Sequence, residues 1–155
     1  MKTDAKAGKR EFFMEYEMTY RVQYYETDTM GIVHHSNYIR YFETVRTEFI
    51  RAAGLPYDRI EEMGVYIPVL GVRADYKVPA VYDEVIKLIC RMTKLSYASF
   101  ELEYEVRNAD TGQLHAKGWS RHGFTDKSFN PIVVKKAAPE VYEVFTKTYE
   151  DGKDK

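Results

Sequence analysis

The chain has 155 residues and a formal net charge of −1, from 23 Lys and Arg against 24 Asp and Glu. That length suits one domain with a substantial core, and the near-neutral balance gives no bulk electrostatic case for nucleic acid or an anionic membrane as partner. No apolar run approaches the ~20 residues that span a bilayer, and the single cysteine, Cys90, excludes an internal disulfide and a cysteine–histidine zinc cluster.

Residues 1–12 are polar and aperiodic and are expected to form a loose arm; a single domain is expected over 13–150, with a polar tail at 151–155. Met1 to Arg10 mixes Lys and Asp without an apolar stretch, which is unlike a signal peptide, so the expected location is cytoplasmic. From Glu15 to Tyr24 the chain alternates, with Tyr16, Met18, Tyr20, Val22 and Tyr24 on one face, the pattern of a half-buried strand. Tyr38, Phe42, Val45 and Phe49 then recur at helical spacing. Ser36 or Asn37 can cap that helix, and Gly54 with Pro56 stops it near Ala53. Its apolar faces are broader than a surface helix needs, which predicts burial against a sheet. A short helical turn is expected over Tyr57 to Met63.

Leu70, Val72, Ala74, Tyr76 and Val78 define the next strand, which Pro79 ends. Ile86 to Met92, Phe100 to Val106 and about Leu114 to Thr125 read as three more. Asn108-Ala109-Asp110-Thr111-Gly112 is a hairpin signal, and Ala137 to Thr148 has the spacing of a terminal helix. The order is one strand, a long helix, then four strands in hairpins. This predicts an α+β fold, an antiparallel sheet of about five strands wrapped around one long central helix. Fourteen tyrosines suit half-buried strands and interfaces, so an oligomer is expected.

The stretch Tyr25-Glu26-Thr27-Asp28-Thr29-Met30-Gly31-Ile32-Val33-His34-His35-Ser36-Asn37-Tyr38 is the candidate site for chemistry. It sets carboxylates just before a helix N-terminus, where free backbone N–H groups can receive charge that builds on a substrate oxygen. Taken locally, Asp28 also fits a plain turn or helix-preceding cap. Gly31 suits a backbone conformation or close approach that a side chain would block. Asn37 either caps the helix or holds the loop, and Glu26 faces solvent or orients the loop. The adjacent His34 and His35 point differently and have no third ligand nearby, which argues against a metal.

Residues 21–46 resemble the signature of the 4-hydroxybenzoyl-CoA thioesterase family of hotdog-fold proteins. Tyr25, Glu26, Asp28, Gly31, Ile32-Val33, His35, Asn37-Tyr38, Phe42-Glu43 and Arg46 occur in order, and Tyr76-Lys77-Val78-Pro79-Ala80 and Asp83-Glu84-Val85 extend the likeness. The resemblance implies hydrolysis of acyl-CoA thioesters with no cofactor and no metal. It implies Asp28 as general base or nucleophile and the backbone amide of His35 as oxyanion donor. It also implies subunits paired into a continuous sheet as a homodimer, often a homotetramer, with sites at the interface.

Substrate contacts are expected from Gly31, Val33 and Asn37 in the loop, and from Tyr38, Phe42 and Val69 along an acyl tunnel. Arg73, Lys77, Lys94 and Arg121 are candidates for the CoA phosphates. Ser96-Tyr97-Ala98 stands about where the benzoyl-CoA members have a basic cluster, so acyl carrier protein stays open as the thiol carrier. A hotdog module that binds carrier protein or lipid-synthesis partners with little turnover is the competing reading. Two absences narrow the class. Five residues after Asp28 stands Val33, where a hotdog hydratase would carry His, and no Gly-x-Ser-x-Gly elbow of an α/β-hydrolase occurs.

Overall fold

The computed structural model describes residues 15–153; the expected arm at 1–12 and the last two residues of the tail lie outside the described residues. Strand β1 (Tyr16–Arg21) leads through a 3₁₀ turn (Tyr24–Glu26) to helix α1 (Ser36–Ala52) and short α2 (Tyr57–Glu62). Strands β2 (Val69–Tyr76), β3 (Val85–Leu95), β4 (Ser99–Asn108) and β5 (Leu114–Gly123) follow, then α3 (Val134–Ala137) and α4 (Pro139–Lys153). The five strands form one antiparallel sheet in the order β1-β3-β4-β5-β2.

Helix α1 has no internal Gly or Pro and ends where Gly54 takes φ 101°, a left-handed conformation that closes a helix cheaply only in glycine. Tyr38, Tyr41, Phe42, Val45 and Phe49 are buried on it, facing Ile86, Leu88, Cys90, Phe100, Leu102, Tyr104 and Val106 of the sheet. Each such Val, Leu, Ile or Phe side chain contributes roughly 1.5–3 kcal/mol on leaving water. At the far end Phe145 of α4 meets Phe100 edge-on at 5.0 Å, which closes the core there.

Three local expectations are corrected. Strands β2 and β3 do not form a hairpin, because β2 pairs with β5 at the opposite edge from β1. Alternation encodes which face a residue occupies, not which strand lies beside it. Tyr24 is not part of β1: the strand stops at Arg21 and Tyr24 enters the 3₁₀ turn, exposed. Neither Ser36 nor Asn37 caps α1, whose N-cap is His35 in a helical conformation without a side-chain cap bond.

Candidate active site

The link between β1 and α1 is built on Glu26. Its carboxylate is buried and accepts from the Tyr20 hydroxyl at 2.6 Å, the Tyr41 hydroxyl at 2.9 Å and the Gln23 amide at 2.9 Å. Burial, and next the Glu26 carboxylate, push both phenols far above their ordinary range, so both remain donors. The Glu26 carbonyl accepts from the His34 amide and the Asn37 side chain, each at 2.8 Å. Glu26 therefore orients the loop and does not face solvent, and Asn37 holds the loop instead of capping the helix.

On this support sits a tight turn. The Asp28 amide donates to Ile32 and the Gly31 amide to Asp28, both at 2.9 Å, and Gly31 takes φ 80°. That left-handed conformation explains the glycine. The Met30 amide donates to Asp28 Oδ1 at 2.8 Å, while Oδ2 has no hydrogen-bond partner among the described residues.

The chain then enters α1 with an unusual distribution of amides. His34 N–H goes to Glu26, Ser36 N–H to His34 Nδ1 at 3.2 Å, Asn37 N–H to the His34 carbonyl and Tyr38 N–H to the His35 carbonyl. The His35 N–H is left without a partner among the described residues. Its carbonyl is fixed further by the Tyr76 hydroxyl at 3.2 Å.

Asp28 and His35 border one pocket of about 230 Å³, together with Met30, Ile32, Val33, Tyr38, Tyr76, Lys77, Val78, Pro79 and His115. The pocket thus gathers Asp28, Val33, His35 and Tyr38 from the sequence reading, with Gly31 in the turn beneath it. Of the four candidate cations, Lys77 alone lines it. Val69 is exposed at the other end of β2, seven residues or roughly 23 Å from Tyr76 at strand rise. Arg73 points away from α1, pairs with Asp75 at 3.0 Å and borders a separate depression of about 350 Å³ on the outer sheet face. Lys94, near the far end of β3, meets Glu101 at 4.0 Å. Phe42 lies behind Tyr38 in the core and does not border the pocket.

His115 and Glu84 are not marked as candidate site residues by the sequence. His115 is 4% exposed, donates from Nδ1 to the Val78 carbonyl at 2.6 Å and meets the Glu84 carboxylate through Nε2. Glu84 also accepts from Asn108 at 2.7 Å and from the Val81 amide at 3.1 Å. Burial alone would raise its carboxyl, but the bonds from His115, Asn108 and Val81 together hold it below the usual carboxylate range. The pair fixes the connection from β2 to β3, which forms one pocket wall. Its members are 31 positions apart, so no local signal reveals it.

The arrangement matches known proteins along most of its length. The family model of the thioesterase-like superfamily matches residues 22–145. YneP of Bacillus subtilis is 35% identical over 127 residues, covering 81% of this chain and 91% of YneP. The acyl-CoA thioesterase YbgC of Helicobacter pylori is 29% identical over 133 residues, covering 80% of this chain and 97% of that one. The solved DHNA-CoA thioesterase from Staphylococcus aureus superposes with a TM-score of 0.84 at 27% identity, over 90% of this chain and 94% of that one. With that agreement of sequence and of sheet-and-helix architecture, the chain belongs to the thioesterase-like superfamily and has the hotdog fold.

Proposed function

We propose that this enzyme hydrolyses acyl-CoA to a carboxylate and free CoA, with Asp28 driving the attack and the His35 amide receiving the oxyanion. The observation that carries this reading is a single pocket bordered by Asp28, whose Oδ2 has no hydrogen-bond partner among the described residues, and by His35, whose N–H has none among them either. A thioester carbonyl seated on that N–H gains negative charge as the new C–O bond forms, and a donor already in place needs no reorganisation.

Asp28 has two routes. As general base it takes a proton from the attacking water; as nucleophile its free oxygen forms a mixed anhydride that water then opens. In both, the tetrahedral intermediate collapses by breaking the C–S bond, and CoA leaves as a thiolate that collects a proton. A single turnover in heavy-oxygen water that labels Asp28 marks the anhydride route.

Lys77 is the cation at the pocket rim and the natural partner for a CoA phosphate. Subunits pair through β2, an open sheet edge with Val69, Leu70, Val72 and Tyr76 exposed, since such an edge is a template for a second strand. Tyr76 lies on that edge and in the pocket, so pairing brings the site to the interface. A lone, buried, reduced Cys90 suits the cytoplasm.

Free-thiol release across short, long and aromatic acyl-CoAs and acyl carrier protein thioesters tests the reading, with circular dichroism as the control for folding. Asp28→Asn is expected to lose about 10²–10⁴-fold in kcat while staying folded. Full activity in Asp28→Asn would refute the assigned mechanism. A wild type that cleaves nothing yet retains carrier protein would establish the binding module instead.

A further inference from the structure

Tyr38, in the first turn of α1, lines the Asp28 pocket. Phe42 follows at i+4, on the same helix face one turn deeper. Its ring is 1% exposed and stacks on Tyr104 with centroids 4.5 Å apart and planes 10° from parallel. Below it, Ala74 of β2 and Gly118 of β5 are Cα partners in register, two very small residues side by side on the inner face of the sheet. A Cβ at position 118 would come within 2.2 Å of the Phe42 ring. Glycine inside a strand weakens it unless something must approach closely, and here the ring is what approaches. The sheet is notched, and Phe42 fills the notch.

Immediately beyond the ring the interior turns polar. Arg46 Nη1 donates to the Tyr104 hydroxyl at 3.1 Å, Tyr104 meets the Ser120 hydroxyl, and Ser120 meets His122 Nε2 at 2.8 Å. Tyr104, Ser120 and His122 are all buried. A methylene chain pushed into this belt would strand hydrogen-bonding groups away from any partner.

Building on the thioesterase reading of the Asp28 pocket, we propose that Phe42, seated on Gly118, sets the depth of the acyl site and makes the enzyme selective for compact acyl groups. The acyl moiety occupies the space between Val33, Tyr38 and the wall at Val78–Pro79, and stops at the turn carrying Phe42. Phe42 is a specificity-determining residue, with no part in bond making or breaking.

The test is kcat/KM for acetyl-, butanoyl-, hexanoyl-, decanoyl-, palmitoyl- and benzoyl-CoA, for wild type, Phe42→Ala and Phe42→Leu. The leucine variant keeps most of the core filled and so guards against loss of folding in the alanine variant. Wild type is expected to discriminate against decanoyl- relative to butanoyl-CoA by about tenfold or more, the scale set by misfit methylenes in an apolar pocket. Both variants are expected to raise the decanoyl-to-butanoyl ratio by about tenfold, alanine more than leucine. A wild type that cleaves palmitoyl- as well as butanoyl-CoA overturns the depth assignment and leaves the thioesterase reading standing. An unchanged ratio in a folded variant overturns it too. A wild type that cleaves no thioester removes the reading itself, and the depth assignment with it.

Discussion

The side-chain amide of Asn37 donates to the main-chain carbonyl of Glu26 at 2.8 Å, which ties the first turn of α1 to the turn that leads into Asp28. The two groups proposed for chemistry, the Asp28 carboxylate and the His35 amide, lie on the chain between these anchors. Asn37→Ala frees that span without touching the pocket lining. We expect kcat to fall by as much as about 10²-fold, the cost of roughly 1 Å of misplacement, with a small change in Tm. Steady-state kinetics beside thermal unfolding decides; an unchanged kcat would make the bond purely structural.

The His35 amide can be removed without removing a structural bond. His35 has φ −54°, within proline's range, and its N–H has no partner among the described residues. His35→Pro is expected to cost about 10²–10³ in kcat, as loss of one oxyanion donor does. His35→Ala keeps the amide and is expected to retain most of the rate. Equal losses in both variants would shift the role from the backbone to the imidazole.

Glu26 holds three donors in a buried place, so truncating it strands them. Tyr41, at 2% exposure, cannot turn its hydroxyl to water. Glu26→Ala should therefore destabilise by about 1–3 kcal/mol for each donor left unpaired, more than Tyr20→Phe or Tyr41→Phe alone. Denaturant unfolding measures this, and a loss no larger than that of Tyr41→Phe would show that water reaches the site.

His122 is expected to contribute to acid sensitivity. Burial, and after it the nearby Arg46 charge, push its pKa down to about 3. The unfolded chain binds that proton near the ordinary value of about 6.5, so between these pH values the unfolded state holds more protons than the folded one. Stability thus rises with pH through this window and is lost as pH falls from about 6.5 towards 3. His122→Gln is expected to flatten the slope of unfolding free energy between pH 6.5 and 4, even if it lowers stability at pH 7. A slope equal to wild type would assign the acid sensitivity to other groups.

The strands and the central helix were legible because their signal is local. Period-two alternation marks β1, β2, β3 and β4, and a four-residue apolar spacing followed by Gly54 marks α1 and its end. Asp28 stood out through a run of ordered motif positions that needs no knowledge of packing. Distances across the fold were not legible. Arg73 and Lys94 carry the right charge for a phosphate, but the pleat turns one to the outer sheet face and strand length takes the other to the far end of β3. Glu26 reads as a loop acid, and its burial depends on two tyrosines, one in β1 and one in α1.

By itself the sequence determined the element types, the turn at Gly31 and the resemblance that singles out Asp28, because each is written in residues close along the chain. The tertiary structure decided the rest: β2 beside β5, the Glu84–His115 wall, the His35 amide without a partner among the described residues and the seat of Phe42 on Gly118. These depend on which faces meet across the sheet and helix. That choice is made by burying all the apolar faces together, and no local stretch of residues encodes it.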